Sequence, residues 1–349
     1  MADLVMLTGI SGFLGGHVAL ALLQEGYRVR GSVRDLARTA SVKANLLKAG
    51  ADVSRLEFVK LDLLSDAGWT EALRGARYLQ HTASPFVSTM PRDKMELVRP
   101  AVDGTRRSLE AALAANVERV VVTSSMAAIA YGHERSRTRP YGPDDWTNLN
   151  GRHVSPYAES KTLGEREAWM IMDRAGRHDD LAVLNPYYIL GPLLDDDPGT
   201  SASLILRLMD GSIPMSAGFY FPVVDVRDVA EAHVRAMTSP IAGGHRFPIA
   251  GPPLAFIEVA QIIGKAMPEF AKRLPTRNAP DWLVRLFGPL TPEMRGNSGE
   301  VGVIRTPDAT EGIRLLGHPL ISPAEAILAT ARDLVVRGLV TAPAPRKKG

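Results

Sequence analysis

A tyrosine and a lysine stand four residues apart in SPYAESK (155–161). Ser155 is a good helix N-cap and Pro156 a good first helical residue, so a helix opens here with Tyr157 and Lys161 one turn apart on one face. An ammonium beside a phenol favours the phenolate and is expected to lower a phenolic pKa that is ordinarily about 10. Such a phenol can protonate a carbonyl oxygen as hydride arrives at the carbon. The pair needs a third polar group at the carboxyl end of a sheet strand, where open α/β sheets bind ligands. RVVVTSS (119–125) ends there with Ser124 and Ser125, and either hydroxyl can polarise a carbonyl.

Hydride chemistry requires a cofactor, and TGISGFLG (8–15) offers a place for one. Gly9, Gly12 and Gly15 fall between an apolar strand and an amphipathic helix, with Ser11, Phe13 and Leu14 completing the turn. Glycines here let backbone N–H groups approach a pyrophosphate that rests on the helix's positive end. The second strand ends GSVRD (31–35). An NAD site places an acid at that strand end, but Ser32 and Val33 are not acidic and Arg34 follows at once. A guanidinium suits a 2′-phosphate, so NADP(H) is the expected cofactor. Asp35 is read as a turn or cap to the next helix, with Arg38 and Lys43 as possible helpers.

These groups need a scaffold that carries them to one edge. Strand-like runs at 4–7, 27–33, 56–63, 78–83, 119–125 and 181–192 alternate with helix-period segments, including 67–74, 93–116 and the helix opening at Ser155. That alternation predicts an α/β, Rossmann-type doubly wound parallel sheet with helices on both faces. After about residue 190, Pro and Gly break the rhythm. The expected division is a nucleotide-binding domain over 1–185, with 219–240 returning to it. A smaller discontinuous substrate lobe follows over 186–218 and 241–340, then a tail over 341–349. RFPIAG (246–251) still has the look of a first-domain strand. Trp282 and Phe287 are expected in the smaller lobe's core. Met209, Met215, Phe219, Tyr220 and Phe221 fall where a substrate loop should lie.

Composition excludes other chemistries. The chain holds 41 basic and 38 acidic residues, a net +3, without the basic–aromatic interleaving of a nucleic-acid binder. It has no cysteine, so disulfides, thiolate catalysis and thiolate-bound zinc are out, which fits a reducing cytoplasm. No eighteen-residue apolar run predicts a membrane span, and the N-terminus reads as a buried strand. The histidines and acids at His17, His81, His133, Asp225, Asp228 and His233 lack ligand spacing, so no metal is expected.

The motifs together resemble the extended short-chain dehydrogenase/reductases, nearest the dihydroflavonol reductase, cinnamoyl-CoA reductase and aldehyde reductase branch. TGISGFLG, GSVRD, HTASPF (81–86), AVDGT (101–105), VVVTSS, SPYAESKTLGE, NPYYILGP and VDVRDVAEAHV carry the resemblance over most of the chain. It implies Tyr157 as acid, Lys161 as its partner and Ser125 as the carbonyl donor. It also implies Asp62 and Leu63 near the adenine, Thr82, Ala83 and Ser84 along the cofactor groove, and Pro186 to Ile189, Tyr188 included, behind the nicotinamide. Phe86, Ala127, Tyr187, Met215 and Tyr220 are the substrate-side candidates. Ala130 stands where the dihydroflavonol enzymes carry asparagine, and SPYAESK does not match the NWYCYGK-like segment of the cinnamoyl-CoA enzymes. Both departures point away from those plant-type substrates, toward a small or aromatic carbonyl compound or its alcohol. The expected activity is reversible NADPH-dependent carbonyl reduction by a monomer or homodimer. Hydroxysteroid dehydrogenases and sugar-nucleotide epimerases share the scaffold, and a non-catalytic NADPH sensor is the alternative of another class.

Overall fold

Each strand at the centre of the molecule is apolar on both faces, the pattern of a parallel sheet covered twice. In β1 (Leu4–Thr8), Val5 and Leu7 face one hydrophobic core while Leu4 and Met6 face another. In β6 (Leu181–Pro186), Ala182 and Leu184 join the first core, Leu181 and Val183 the second. The computed structural model describes residues 2–84, 93–287 and 298–342.

The remaining strands of this sheet are β2 (Arg28–Val33), β3 (Leu56–Lys60), β4 (Tyr78–His81), β5 (Arg119–Thr123) and β9 (His245–Ile249). They run in the order β3-β2-β1-β4-β5-β6-β9, and every pairing is parallel. The first core is closed by α1 (Phe13–Gln24), α2 (Thr39–Lys48), α7 (Val226–Thr238) and α10 (Thr310–Leu316). The second is closed by α3 (Trp69–Leu73), α4 (Met95–Ala114) and α5 (Pro156–Arg174). Chain direction across the sheet reverses between β1 and β4, so a crevice opens at their carboxyl ends, beside Gly9 and Thr82.

A second sheet of three strands, in the order β10-β8-β7, builds the smaller lobe. It comprises β7 (Tyr188–Leu190), β8 (Tyr220–Asp225) and β10 (Pro253–Ala255). Packed with it around a third core are α6 (Gly199–Asp210), α8 (Phe256–Ala266) and α11 (Pro323–Val336). Two boundaries differ from expectation. β9 falls within the span assigned to the smaller lobe, yet it pairs with β6 in the main sheet. Its Pro248, which cannot donate to a ladder, is tolerated because β9 is the last strand of the sheet. Conversely β8 pairs with β7 and β10, while α7, together with Val224 of β8, packs on the first core of the main sheet.

Trp282 and Phe287 are not core residues. They lie on α9 (Asp281–Phe287) at 65% and 52% exposure, because this short helix buries none of its residues.

Three histidines act as buried braces. His233 on α7 ties Gln80 (2.7 Å) and Thr123 (2.9 Å) together beneath the sheet. Nδ1 of His81 meets the Thr8 hydroxyl at 3.0 Å, and Nε2 of His17 meets the Pro192 carbonyl at 2.9 Å. Burial lowers their pKa values to about 3, 3 and 4 respectively.

Candidate active site

The glycine turn is held from three sides. The Gly9 amide donates to the Ser32 hydroxyl at 3.2 Å, which ties the turn to the end of β2. Thr82 donates to the Thr8 carbonyl at 2.6 Å, and the Ala83 amide donates to the Thr8 hydroxyl at 3.1 Å. Gly9 has φ +76°, and a Cβ there would meet the Ala83 backbone at 2.9 Å. A Cβ on Gly15 would lie 2.1 Å from the Gly9 carbonyl oxygen. The fold itself therefore demands glycine at 9 and 15.

Gly12 is different. It has an ordinary extended backbone (φ −88°), it is exposed, and a Cβ would meet nothing closer than the Gly9 oxygen at 3.4 Å. It is also the N-cap of α1 and offers no side-chain cap, so the first N–H groups of the helix face outward. The fold would accept a side chain at 12, whereas a close-lying phosphate would not, and uncapped N–H groups are what an anion needs. The turn fits a dinucleotide. Accordingly, Gly12→Ala is expected to keep its Tm within a few degrees while weakening dinucleotide binding about tenfold. Gly15→Ala is expected to lose both fold stability and binding. Thermal unfolding with and without added NADPH separates the two, and equal destabilisation by both variants would contradict this division.

Arg34 lies exposed just past the end of β2, and no ion pair engages it among the described residues. Asp35 is the N-cap of the following 3-10 turn, accepting from the Ala37 amide at 2.9 Å, so it is occupied as a cap. Arg38 instead approaches Asp195 at 3.9 Å. Asp62 lies just past β3, where its carboxylate accepts from the Leu64 amide at 2.9 Å. Leu63 and Ser84 line a small cavity with Lys161. Ser11 and Phe13 are half-buried, and Leu14 and Ile189 pack on the first core.

The helix carrying Tyr157 and Lys161 begins as its sequence dictates. The Ser155 hydroxyl accepts from the Ala158 amide at 3.2 Å and Pro156 occupies the first turn. Ser125 is the serine that meets Tyr157, as the hydrogen-bonding neighbour that offsets part of the phenol's burial. Its hydroxyl accepts from the Ala127 amide at 3.1 Å and reaches the Pro186 carbonyl at 3.5 Å. Ser124 turns the other way and donates to Glu165. The lysine ammonium lies 6.0 Å from the centre of the Tyr157 ring.

One electrostatic expectation is reversed. Burial raises the Tyr157 pKa rather than Lys161 lowering it, and burial also lowers Lys161 to about 8. Desolvation disfavours either group's charged form. The phenol is thereby kept protonated, the form that can give a proton.

Around this trio the substrate-side candidates separate. Ala127 is buried against Ser125, and Tyr187 follows Pro186, its hydroxyl 3.1 Å from that of Tyr131. Met215 is 52% exposed on the smaller lobe, and Tyr220 begins β8 in register with Ala255. Phe86 lies outside the described residues. Tyr188 does not turn its side chain toward the crevice: its hydroxyl donates to the Ser201 carbonyl at 3.0 Å and its ring packs 5.2 Å from Phe221. β-strand alternation explains it, since neighbours in a strand point to opposite sides.

Sequence reasoning missed a polar group on this wall. Arg305 stacks 4.2 Å over the Tyr131 ring, donates to the Ala130 carbonyl at 2.7 Å and pairs with Glu300. It comes from a segment with no periodic signal, some 175 residues from Ala130 along the chain.

Residues 5–250 match the model of the NAD dependent epimerase/dehydratase family. The chain belongs to that family. Within it the molecule is an extended short-chain dehydrogenase/reductase, as its motifs implied. Cinnamoyl-CoA reductase 1 of Arabidopsis thaliana is 33% identical over 275 residues, 78% of this chain and 77% of that one. A putative NADPH-dependent methylglyoxal reductase of Candida albicans is 29% identical over 293 residues, 78% and 85% of the two chains. A yeast methylglyoxal/isovaleraldehyde reductase, crystallised with NADPH, superposes with a TM-score of 0.77 at 24% identity, covering 97% of this chain and all of its own. The family fold thus extends beyond residue 250 to nearly the whole chain. Within the described residues no helix is long and apolar enough to cross a membrane.

Proposed function

We propose that the protein is an NADPH-dependent reductase of aldehydes or ketones, reversible as an alcohol dehydrogenase. The observation that carries this reading is the convergence of Ser125, Tyr157 and Lys161 beside the glycine turn, at the carboxyl edge where the sheet reverses direction. The reductase names of relatives on both sides of the comparison support it.

The turn at Gly9 to Gly15 would hold the pyrophosphate and Arg34 the 2′-phosphate. When bound, the cofactor supplies hydride to the carbonyl carbon. Tyr157, a neutral phenol at neutral pH, gives its phenolic proton to the carbonyl oxygen. The Ser125 hydroxyl hydrogen-bonds the same oxygen and so polarises the carbonyl. The Lys161 ammonium, 6.0 Å from the centre of the ring, steadies the phenolate left behind. Alcohol oxidation needs the phenolate first, so it should require a more alkaline medium than reduction does.

Initial rates of NADPH and NADH oxidation against aldehydes, ketones and β-keto esters test the reading. Turnover with NADPH preferred is expected, and tight NADPH binding without turnover across the panel would refute it. Arg34→Ala should raise the KM for NADPH about 10- to 100-fold, the loss of a charged hydrogen bond of about 1.5–3 kcal/mol. The KM for NADH should barely change. Equal loss with both cofactors would remove Arg34 from the 2′-phosphate.

A further inference from the structure

One helical turn beyond Lys161 stands a carboxylate that the reaction above does not use. Glu165 follows the lysine by four residues on α5, so the two share a face. Both line a cavity of about 20 Å³, enough for a water molecule, and Tyr157 does not reach it.

Glu165's side chain is wholly buried. A carboxylate in that position must find its hydrogen bonds within the protein. It accepts from the Ser124 hydroxyl, the Asn185 amide at 2.8 Å, the Trp169 indole at 3.4 Å and the Arg246 guanidinium. Every partner can donate and one is a cation, a set that suits an ionised carboxylate. Arg246 is equally constrained. It donates to the Pro143 and Asp145 carbonyls at 2.7 and 2.6 Å and stacks 3.9 Å from the centre of the Trp146 ring. Buried ion pairs often add little stability over an apolar pair of similar volume. Its position beside the lysine suggests what else the charge does.

We propose that Glu165 is a positioning residue for Lys161: a clamped negative charge that holds the ammonium in a pocket too dry to hold it alone. The proposal rests on the role given to Lys161 above.

The surrounding charges agree. Burial draws Lys161 down, and Glu165 is the neighbour that draws it back up. From β4, His81 is neutral and adds no charge; from α5, Tyr157 is a neutral phenol. Arg246 on β9 reaches the lysine's surroundings only through its bond to Glu165, and the cavity walls from α4 and β5 are uncharged. The lysine acts in its charged form, so its contribution is lost as pH rises through its pKa. Removing the carboxylate must move that loss to lower pH.

Titration of 13Cε-labelled lysine by NMR in the full-length protein reads this directly, with the Lys161 resonance assigned by its disappearance in Lys161→Arg. In Glu165→Gln the midpoint should fall by about one pH unit. The alkaline limb of kcat for carbonyl reduction should move the same way, whereas a merely structural role would lower kcat evenly at every pH. If Glu165→Gln does not fold, the double variant Glu165→Gln/Arg246→Met strands no buried ion and should show a smaller fall. An unchanged or raised midpoint in whichever variant folds would overturn the proposal. A lowered midpoint in a protein that reduces no carbonyl would uphold the charge coupling and overturn the functional reading instead.

Discussion

Tyr157→Phe is expected to lower kcat for carbonyl reduction by about 10²- to 10⁴-fold, the usual worth of a positioned general acid. NADPH affinity should stay within about twofold. The substitution removes one hydroxyl from a ring that is already enclosed, and the Ser125 hydroxyl keeps its bonds to Ala127 and Pro186. Neither the glycine turn nor Arg34 is touched. The loss should therefore fall on kcat, because the proton is transferred only in the transition state. Stopped-flow single turnovers with NADPH, paired with fluorescence titration of the cofactor, make the distinction. Turnover within tenfold of the wild type would mean that another group protonates the substrate, and the catalytic assignment would fail.

The second large effect is on stability in acid. His17, His81 and His233 are buried and uncharged, with pKa values of about 4, 3 and 3 against 6.5 in an unfolded chain. Below pH 6.5 the unfolded chain binds protons that the folded one refuses, so stability falls as pH drops. Asp228 works the other way. Burial raises it to about 6 from 3.8, and it offsets about one histidine below pH 6. For these four groups the balance is a loss of about 4 kcal/mol between pH 7 and pH 5, against the 5–15 kcal/mol typical of a domain, with His318 and Asp195, both raised, acting in the opposite direction. Urea midpoints at half-unit steps of pH should show it, and His233→Gln should flatten the slope. A midpoint that stays level down to pH 5 would show that these imidazoles are not held neutral.

The sheet was legible because its signal is local. A strand such as LVMLT or LAVLNP is apolar throughout, the helices between have a 3.6 period, and both appear within ten residues. The candidate site was legible for the same reason: Tyr157 and Lys161 are one turn apart, and Gly9, Gly12 and Gly15 share one turn. What the sequence hid depends on distance along the chain. β9 was read as a first-domain strand at 246–251 yet left within the smaller lobe's span, because only β6 lying beside it decides which sheet it joins. Trp282 and Phe287 look like core by composition, and only tertiary placement leaves them outside. Arg305 reaches Ala130, and Arg246 reaches Glu165, across separations that no spacing rule addresses. The expected depression of the Tyr157 pKa failed similarly, because adjacency in a helix says nothing about how dry the neighbourhood becomes.

The Glu165–Arg246 pair also has a meaning in time. During synthesis the helix with Tyr157 and Lys161 is complete long before residue 246 of this 349-residue chain is made. Until β9 arrives, Glu165 lacks the guanidinium that pairs with it, and its carboxylate must be served by Lys161 and by water. The compartment behind the lysine therefore cannot dry out on the nascent chain. A ribosome-bound intermediate lacking β9 would present every residue of the proposed catalytic trio in a solvated, unfinished setting. Activity should then appear as a late step of maturation, set by the docking of one edge strand.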